Sequence, residues 1–328
     1  MNKNDWISLG KVHDKICNEV INWIIKNKNY PIFYEKLYNF IENRIKHYKM
    51  KMAFPVGISK NNIAAHDTAL PEDNRQFVAS RDYVKIDIGI HQKGYIIDSA
   101  FTWSPEFLGE SIPIQNKNCI QSTKEAVKHM IKMCRPNTYI YDIAHSTEEI
   151  IQSYEDVYPM PELTGHTLER WKIHGNRLIP SSTKLKTYFE NEPRIQCGDV
   201  CAIEVFTTNS TKPIFMGDLY ESNHFMMKSP QKGIPHTVKD YTRQFLSTVQ
   251  KDYSLKLPFT QKYVFTQYDR SMWKNIVQDC YQNQLISVYP PVYTENDCIV
   301  AQTEDTILVT PQKTISLTTK SYNDFTFQ

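Results

Sequence analysis

Hydrophobic residues in the first 50 positions recur at spacings of three and four. Ile16, Val20, Trp23 and Ile24 form one stripe, and Phe33, Leu37, Phe40, Ile41 and Ile45 a second, with Pro31 between them. This period predicts two amphipathic helices, and the proline separates them because it has no N–H to donate to a helical turn. From about residue 83 the period falls to two. Val84, Ile86, Ile88 and Ile90 alternate with the mostly polar Tyr83, Lys85, Asp87 and Gly89, which predicts a strand with one buried face. His91–Gly94 reads as a turn and Tyr95–Trp103 as the returning strand. Two helices are predicted near 117–133 and 139–153, then loop and strand over 158–206, and a Pro-, Asn-, Ser- and Gly-rich connection over 208–235. Val238, Tyr241, Phe245 and Val249 predict a further helix; Phe265, Trp273, Ile276, Val277 and Cys280 predict another, and 298–319 a last strand pair. The order is that of an α/β (α+β) protein with a late helical insert.

A hairpin turn centred between Gln92 and Lys93 would set Asp87 directly opposite Asp98 and leave an almost wholly apolar opposite face. Two carboxylates so placed repel. They are tolerated if solvated, if they share a proton, or if a cation lies between them. Further along, His166 and His174 stand eight residues apart, Glu204 interrupts the apolar run Val200–Phe206, and Glu304 sits similarly within Ile299–Leu308. A carboxylate in a buried strand is costly unless paired or metal-bound, although each of these alone is compatible with an edge-strand charge. Together they offer four carboxylates and imidazole nitrogen, a set that suits Mn(II), Fe(II), Co(II) or Zn(II) and balances two divalent ions.

Composition removes several classes. Across 328 residues, 41% are hydrophobic and 23% charged, which excludes a disordered or fibrous chain. Lys plus Arg total 38 against 36 Asp plus Glu, so the net charge of +2 gives no electrostatic footprint for DNA. Apolar runs fall well short of the roughly 20 residues that span a bilayer, and Met1–Gly10 lacks the apolar core of a signal peptide, so a cytoplasmic protein without membrane contact is expected. Cys17, Cys119, Cys134, Cys197, Cys201, Cys280 and Cys298 include no CxxC pair and read as reduced thiols. No heptad pattern is visible, and a monomer is expected.

At these residues the sequence resembles the methionine aminopeptidases, specifically their type 2 branch. The likeness runs from about Phe54 to Thr310. It is carried by Phe54-Pro55-Val56-Gly57, Asn61-Asn62-Ile63-Ala64-Ala65-His66, Lys85-Ile86-Asp87-Ile88-Gly89, Gly94-Tyr95-Ile96-Ile97-Asp98, Gly165-His166, Ile173-His174-Gly175, Ala202-Ile203-Glu204 and Gln302–Ile307. The resemblance implies the pita-bread aminopeptidase fold with a helical insertion of the type 2 kind. It implies N-terminal helices over 1–50, a catalytic domain over 51–208 and 289–328, and an insertion subdomain over 209–288. Two divalent metal ions would be held by Asp87, Asp98, His166, Glu204 and Glu304.

The family's catalytic histidines fall on His66 and His174, and Glu204 is the carboxylate that would take and relay a proton from a metal-bridging hydroxide nucleophile. His174 would hydrogen-bond the scissile carbonyl and His66 would serve the leaving nitrogen. Phe54, Ile173, Phe206, His224 and Tyr289 would form the methionine pocket, with Ala202 small behind it. The substrates implied are nascent polypeptide N-termini with a small second residue, with the ribosome a candidate partner. Fumagillin-type epoxides would react at His66. The 100 residues between Glu204 and Glu304 match the longer type 2 link.

The chain departs from the family pattern at Asp67, where an aromatic is usual, and at Val205 and Thr207–Asn209. It also lacks the charged extension of eukaryotic type 2 enzymes and the zinc-finger extension of type 1. The competing readings are an inactive pita-bread adaptor for ribosome or RNA, and an Xaa-Pro peptidase.

Overall fold

The computed structural model describes residues 3–212, 214–228, 233–252, 257–264 and 267–318. Helices Lys3–Asn27 and Tyr34–His47 bury the two apolar stripes: Ile16, Val20, Ile24, Leu37 and Ile41 have no exposed surface, and Trp23 stacks on Phe40. Phe33, expected within the second helix, instead ends the short strand Ile32–Phe33 and is exposed. Phe33 pairs with Gln76 and caps the helix in extended backbone (φ −71°, ψ 137°), so the helix starts one residue later.

The centre of the molecule is a ten-stranded sheet. Its main path runs Leu178–Ile179, Gly165–Leu168, Val200–Thr208, Val300–Val309, Tyr95–Trp103, Val84–Gln92 and Lys51–Met52, each pair antiparallel; Gly57–Lys60 also pairs with Val84–Gln92. One face carries Ile86, Ile88 and Phe101, packed with the N-terminal helices, and Cys201, Ile203, Val205 and Ile307, packed with helices Ile114–Met133 and Ile140–Gln152. The alternate residues of the same strands point to the other face, where the ionisable side chains lie.

The hairpin register differs from the expected one. Gln92 pairs with Tyr95, so the loop is the two residues Lys93-Gly94, with φ of 53° and 84°. Positive φ at both loop positions is the type I′ turn that suits the right-handed twist of a hairpin. Asp87 therefore faces Ala100, and Asp98 faces Gly89. Moving the turn centre by one residue moves each partner by two, so every side chain keeps its face. The two aspartates are diagonal neighbours on one face and not direct opposites.

Helices Asp240–Asp252 and Arg270–Gln282 lie between two strands that pair with each other, His224–Met227 and Ile286–Tyr289. Phe225, Phe245, Phe259, Trp273 and Ile276 form a separate hydrophobic cluster there. Trp273 meets Phe245 and Phe225 edge-on at 5.4 and 5.5 Å. Phe265, expected in the second of these helices, and Thr319, expected in the last strand pair, lie outside the described residues. Trp273→Ala is expected to destabilise the protein by about 3–5 kcal/mol, read from denaturant unfolding, because it removes the ring on which the others pack. An effect under about 1 kcal/mol would show that this cluster does not unfold with the rest. Among the described residues no helix is long and apolar enough to cross a membrane.

Candidate metal centre

Strand pairing alone brings the acidic residues together. Asp87 is level with Ala100, Ala100 with Glu304, and Glu304 with Glu204, so one row of residues crosses four strands. A second row lies two residues away on the same face. His166 pairs with Ala202 and Ala202 with Thr306, whose hydroxyl accepts from the Asp98 backbone N–H (2.8 Å). Asp98 and His166 thus flank the first row. One donor atom each from Asp98, His166 and Glu304 lies within 4.8 Å of the others, and the same holds for Asp87, Glu204 and Glu304. Glu304 belongs to both groups.

These side chains lack the partners that burial demands. Asp87 Oδ1, Asp98 Oδ1, Glu304 Oε2 and His166 Nδ1 are buried with no hydrogen-bond partner. Buried polar atoms are normally satisfied, and a cluster of orphaned ones facing each other asks for an ion. Burial pushes the Asp87 carboxyl up to about 7. It raises Asp98, Glu204 and Glu304 far above the usual carboxylate range, with their mutual repulsion adding to the effect. Burial lowers His166 to about 3, with His174 contributing, so its imidazole is neutral and able to ligate. Without cations, four buried carboxylates cannot all ionise; two divalent ions would balance them. The donor set fits such ions.

The centre forms the floor of a cavity of about 520 Å³. The other expected residues line the same space: His66, His174, Phe54, Ile173, Phe206, His224 and Tyr289. His66 directly follows the strand Ile63–Ala65 and has left-handed backbone, φ 62°. Its Nδ1 lies 3.1 Å from the Pro290 carbonyl and must donate to it, which leaves Nε2 unprotonated. Burial lowers this imidazole to about 4. His174 stands at the open side of the cavity, edge-on to His166 with ring centres 4.6 Å apart, and Tyr289 lies 6.1 Å from it. Gly175 fixes this turn by close approach: its N–H donates to the Thr167 carbonyl (2.6 Å), and a Cβ there would lie 2.2 Å from the Thr167 hydroxyl. A more open groove of about 630 Å³, lined by Phe215, Met216 and Tyr293, contains none of these residues.

Gln302 was not among the expected site residues. Its side-chain amide donates to Glu204 Oε1 (2.8 Å) and reaches Asp87 Oδ2 at 3.4 Å, so it orients both carboxylates. The signal was present: Gln302 sits two residues before Glu304 on one strand, and so on the same face. Gly89 was also missed as a shaping residue. A Cβ there would lie 2.0 Å from a ring carbon of Phe54. Gly89→Ala is therefore expected to displace Phe54 from the cavity wall and raise KM for a methionyl peptide by about tenfold with the metal content unchanged. An unchanged KM in steady-state assays would remove Phe54 from the pocket.

A sheet backed by paired helices, with carboxylates and histidine gathered on its open face beside a cavity, defines a metallopeptidase scaffold. The sequence model of metallopeptidase family M24 matches residues 8–234. The methionine aminopeptidase of Methanocaldococcus jannaschii is 30% identical over 321 residues, covering 96% of this chain and 97% of that protein. Methionine aminopeptidase 2-2 of Colletotrichum graminicola is 29% identical over 272 residues, 80% of this chain but 58% of its own length. Among solved structures, a thermophilic Arx1 superposes with a TM-score of 0.77 over 97% of this chain and 92% of that one. The methionine aminopeptidase of Rickettsia prowazekii superposes with 0.63 over 97% and 98%. Both are 16% identical and speak for the pita-bread fold alone. The chain belongs to metallopeptidase family M24, and within it to the methionine aminopeptidases.

Proposed function

We propose that this chain is a type 2 methionine aminopeptidase that releases the first methionine of newly made cytoplasmic polypeptides at a centre of two divalent ions. The observation that carries this reading is the pair of ligand groups sharing Glu304, with four orphaned buried atoms, on the floor of a cavity that also holds His66 and His174. The type 2 assignment is supported by the two helices between the Glu204 and Glu304 strands and by the 29% identity to a type 2 relative.

Asp87, Asp98, His166, Glu204 and Glu304 would hold the ions, which when bound supply a water acidified to near neutrality and a Lewis acid for the carbonyl. Glu204, steadied by Gln302, would be the carboxylate that accepts a proton from the attacking water and gives it to the leaving nitrogen. His174 donates to the carbonyl oxygen as negative charge develops on it. His66, neutral by burial and fixed by Pro290, receives or positions the amide at the scissile bond. Its free Nε2 is also the nucleophile a strained epoxide of the fumagillin type would meet. Phe54, Ile173, Phe206, His224 and Tyr289 form a mostly apolar wall suited to a thioether.

The test compares Met-Ala-Ser with Pro-Ala-Ser before and after Mn(II) or Co(II) is restored to chelated protein. Metal-dependent release of methionine, with the prolyl peptide untouched, is expected. No turnover with any metal and no metal retained by folded protein would overturn the reading.

A further inference from the structure

His224 is 7% exposed and lines the cavity, yet nothing in its own strand fixes which ring nitrogen carries the proton. A chain of buried contacts does. Arg75 is clamped by Asp73 (2.7 Å) and the Thr68 carbonyl (2.6 Å), its guanidinium lying 4.8 Å over the Tyr34 ring. From that position it donates to Asp67 Oδ1 at 2.7 Å. The same oxygen accepts from the Asn223 amide nitrogen at 3.3 Å, and Asn223 Oδ1 lies 2.9 Å from His224 Nδ1. Asp67 and Asn223 are 1% and 2% exposed.

We propose that Asp67 is a positioning residue for the substrate side-chain pocket: through Asn223 it holds His224 with its proton on Nδ1 and its ring in one orientation. The warrant is donor and acceptor matching. A carboxylate oxygen only accepts, so the Asn223 amide must turn its NH2 toward Asp67 and its oxygen toward His224. That oxygen also only accepts, so Nδ1 must carry hydrogen. Both ring nitrogens face acceptors: a proton on Nε2 would serve the Pro55 carbonyl at 3.3 Å but leave two acceptors facing each other at 2.9 Å, a closer conflict than the one at 3.3 Å that the Nδ1–H form leaves. Asn223 cannot relieve this by flipping, because its oxygen would then meet the Asp67 carboxylate. The held ring stands 6.1 Å from the His66 ring and is paired across the strands with Tyr289, so it forms a fixed wall beside the scissile end of the cavity.

The inference rests on the reading of the cavity as a methionine pocket, and the test separates the two. Nitrogen-15 NMR of histidine-labelled protein, with His224 assigned by its loss in His224→Gln, is expected to show the Nδ1–H tautomer. Asn223→Leu should switch it to Nε2–H and raise KM for Met-Ala-Ser about fivefold while kcat changes less than about twofold, as expected for lost uniform binding worth one hydrogen bond. Asp67→Asn, which still offers an oxygen to both Arg75 and Asn223, should rescue both tautomer and KM. Asp67→Ala is the harsher variant, and Asn223→Leu decides the matter if it fails to fold. An unchanged tautomer in Asn223→Leu, or a switched tautomer with unchanged KM, overturns the relay. A wild type that cleaves no methionyl peptide sinks the peptidase reading, whereas the tautomer result still decides whether Asp67 holds His224.

Discussion

Stripped of metal, the protein is expected to lose stability as pH rises from 7 to 8.5, and with Mn(II) present the trend should reverse. The sign follows from the carboxyl groups of the centre. Asp87 is raised to about 7, from the 3.8 expected in the unfolded chain, by burial. Asp98, Glu204 and Glu304 are raised further, by burial first and by one another second. A group whose folded pKa is raised contributes stability that is complete below its unfolded pKa and lost as pH climbs through the folded value. Each carboxyl protonated only in the folded chain removes up to about 1.4 kcal/mol per pH unit. The buried histidines act oppositely, and elsewhere on the scale. His66 and His166 are lowered to about 4 and 3, so their contribution is present above 6.5 and lost as pH falls toward those values. Within 7 to 8.5 the thiols of Cys17, Cys119, Cys134, Cys201 and Cys280, raised by burial, add a loss of the same sign, and Lys85, lowered by burial, adds a gain. The difference between chelated and Mn(II)-loaded protein is therefore what reports the carboxylates.

Bound ions need the deprotonated ligands, so metal uptake must release protons and become tighter as pH rises. Thermal unfolding at both pH values, with chelator or Mn(II), reads the reversal, and calorimetry in buffers of different ionisation enthalpy counts the protons. Glu304→Ala should release both ions and lower kcat/KM by on the order of 10³, since Glu304 belongs to both ligand groups. His166→Ala should release one, as counted by mass spectrometry of the native protein. A flat stability profile in this window, with no shift on adding Mn(II), would remove the metal centre.

How much of this was legible in the sequence depended on whether the signal was periodic. Alternation of Val84, Ile86, Ile88 and Ile90 put Asp87 on the opposite face without any knowledge of partners; the same period placed Gln302 on the face of Glu304, a signal that went unused. The turn was harder. Lys93 adopts left-handed backbone with φ of 53° although lysine carries no signal for it, and only Gly94 announced a tight loop. The turn centre was therefore misplaced by one residue, an error that a period of two forgives. His66 and His174 owe their positions to irregular backbone after short strands, which no periodicity predicts; the quoted motifs alone singled them out. Pairing of Asp67 with Asn223, 156 residues apart in sequence, was invisible, because it depends on how the late strand His224–Met227 is placed against the loop that follows the early strand Ile63–Ala65.

His66→Asn is expected to lower kcat/KM for Met-Ala-Ser by about 10²–10⁴ with both metal ions retained. Residue 66 has φ of 62°, a region that most side chains avoid but asparagine tolerates, so this substitution preserves the turn better than alanine would. His66 is in neither ligand group, so the metal content should stand. What goes is an unprotonated nitrogen that the Pro290 carbonyl holds in one tautomer. Because burial holds its pKa near 4, this imidazole is neutral throughout the working range, and the wild-type rate should show no inflection near 6.5 from its titration. In the proposed mechanism His174, at the open side of the cavity, would serve the opposite end of the same bond: His174→Ala should cost a comparable factor in kcat with little change in KM, as for a donor that strengthens only in the transition state. The double variant should lose less than the product of the single losses, since two groups acting on one scissile bond work as a unit. Steady-state kinetics beside metal analysis checks all three. Loss of activity in His66→Asn that tracks loss of metal would show that this histidine acts through the centre and not on the substrate.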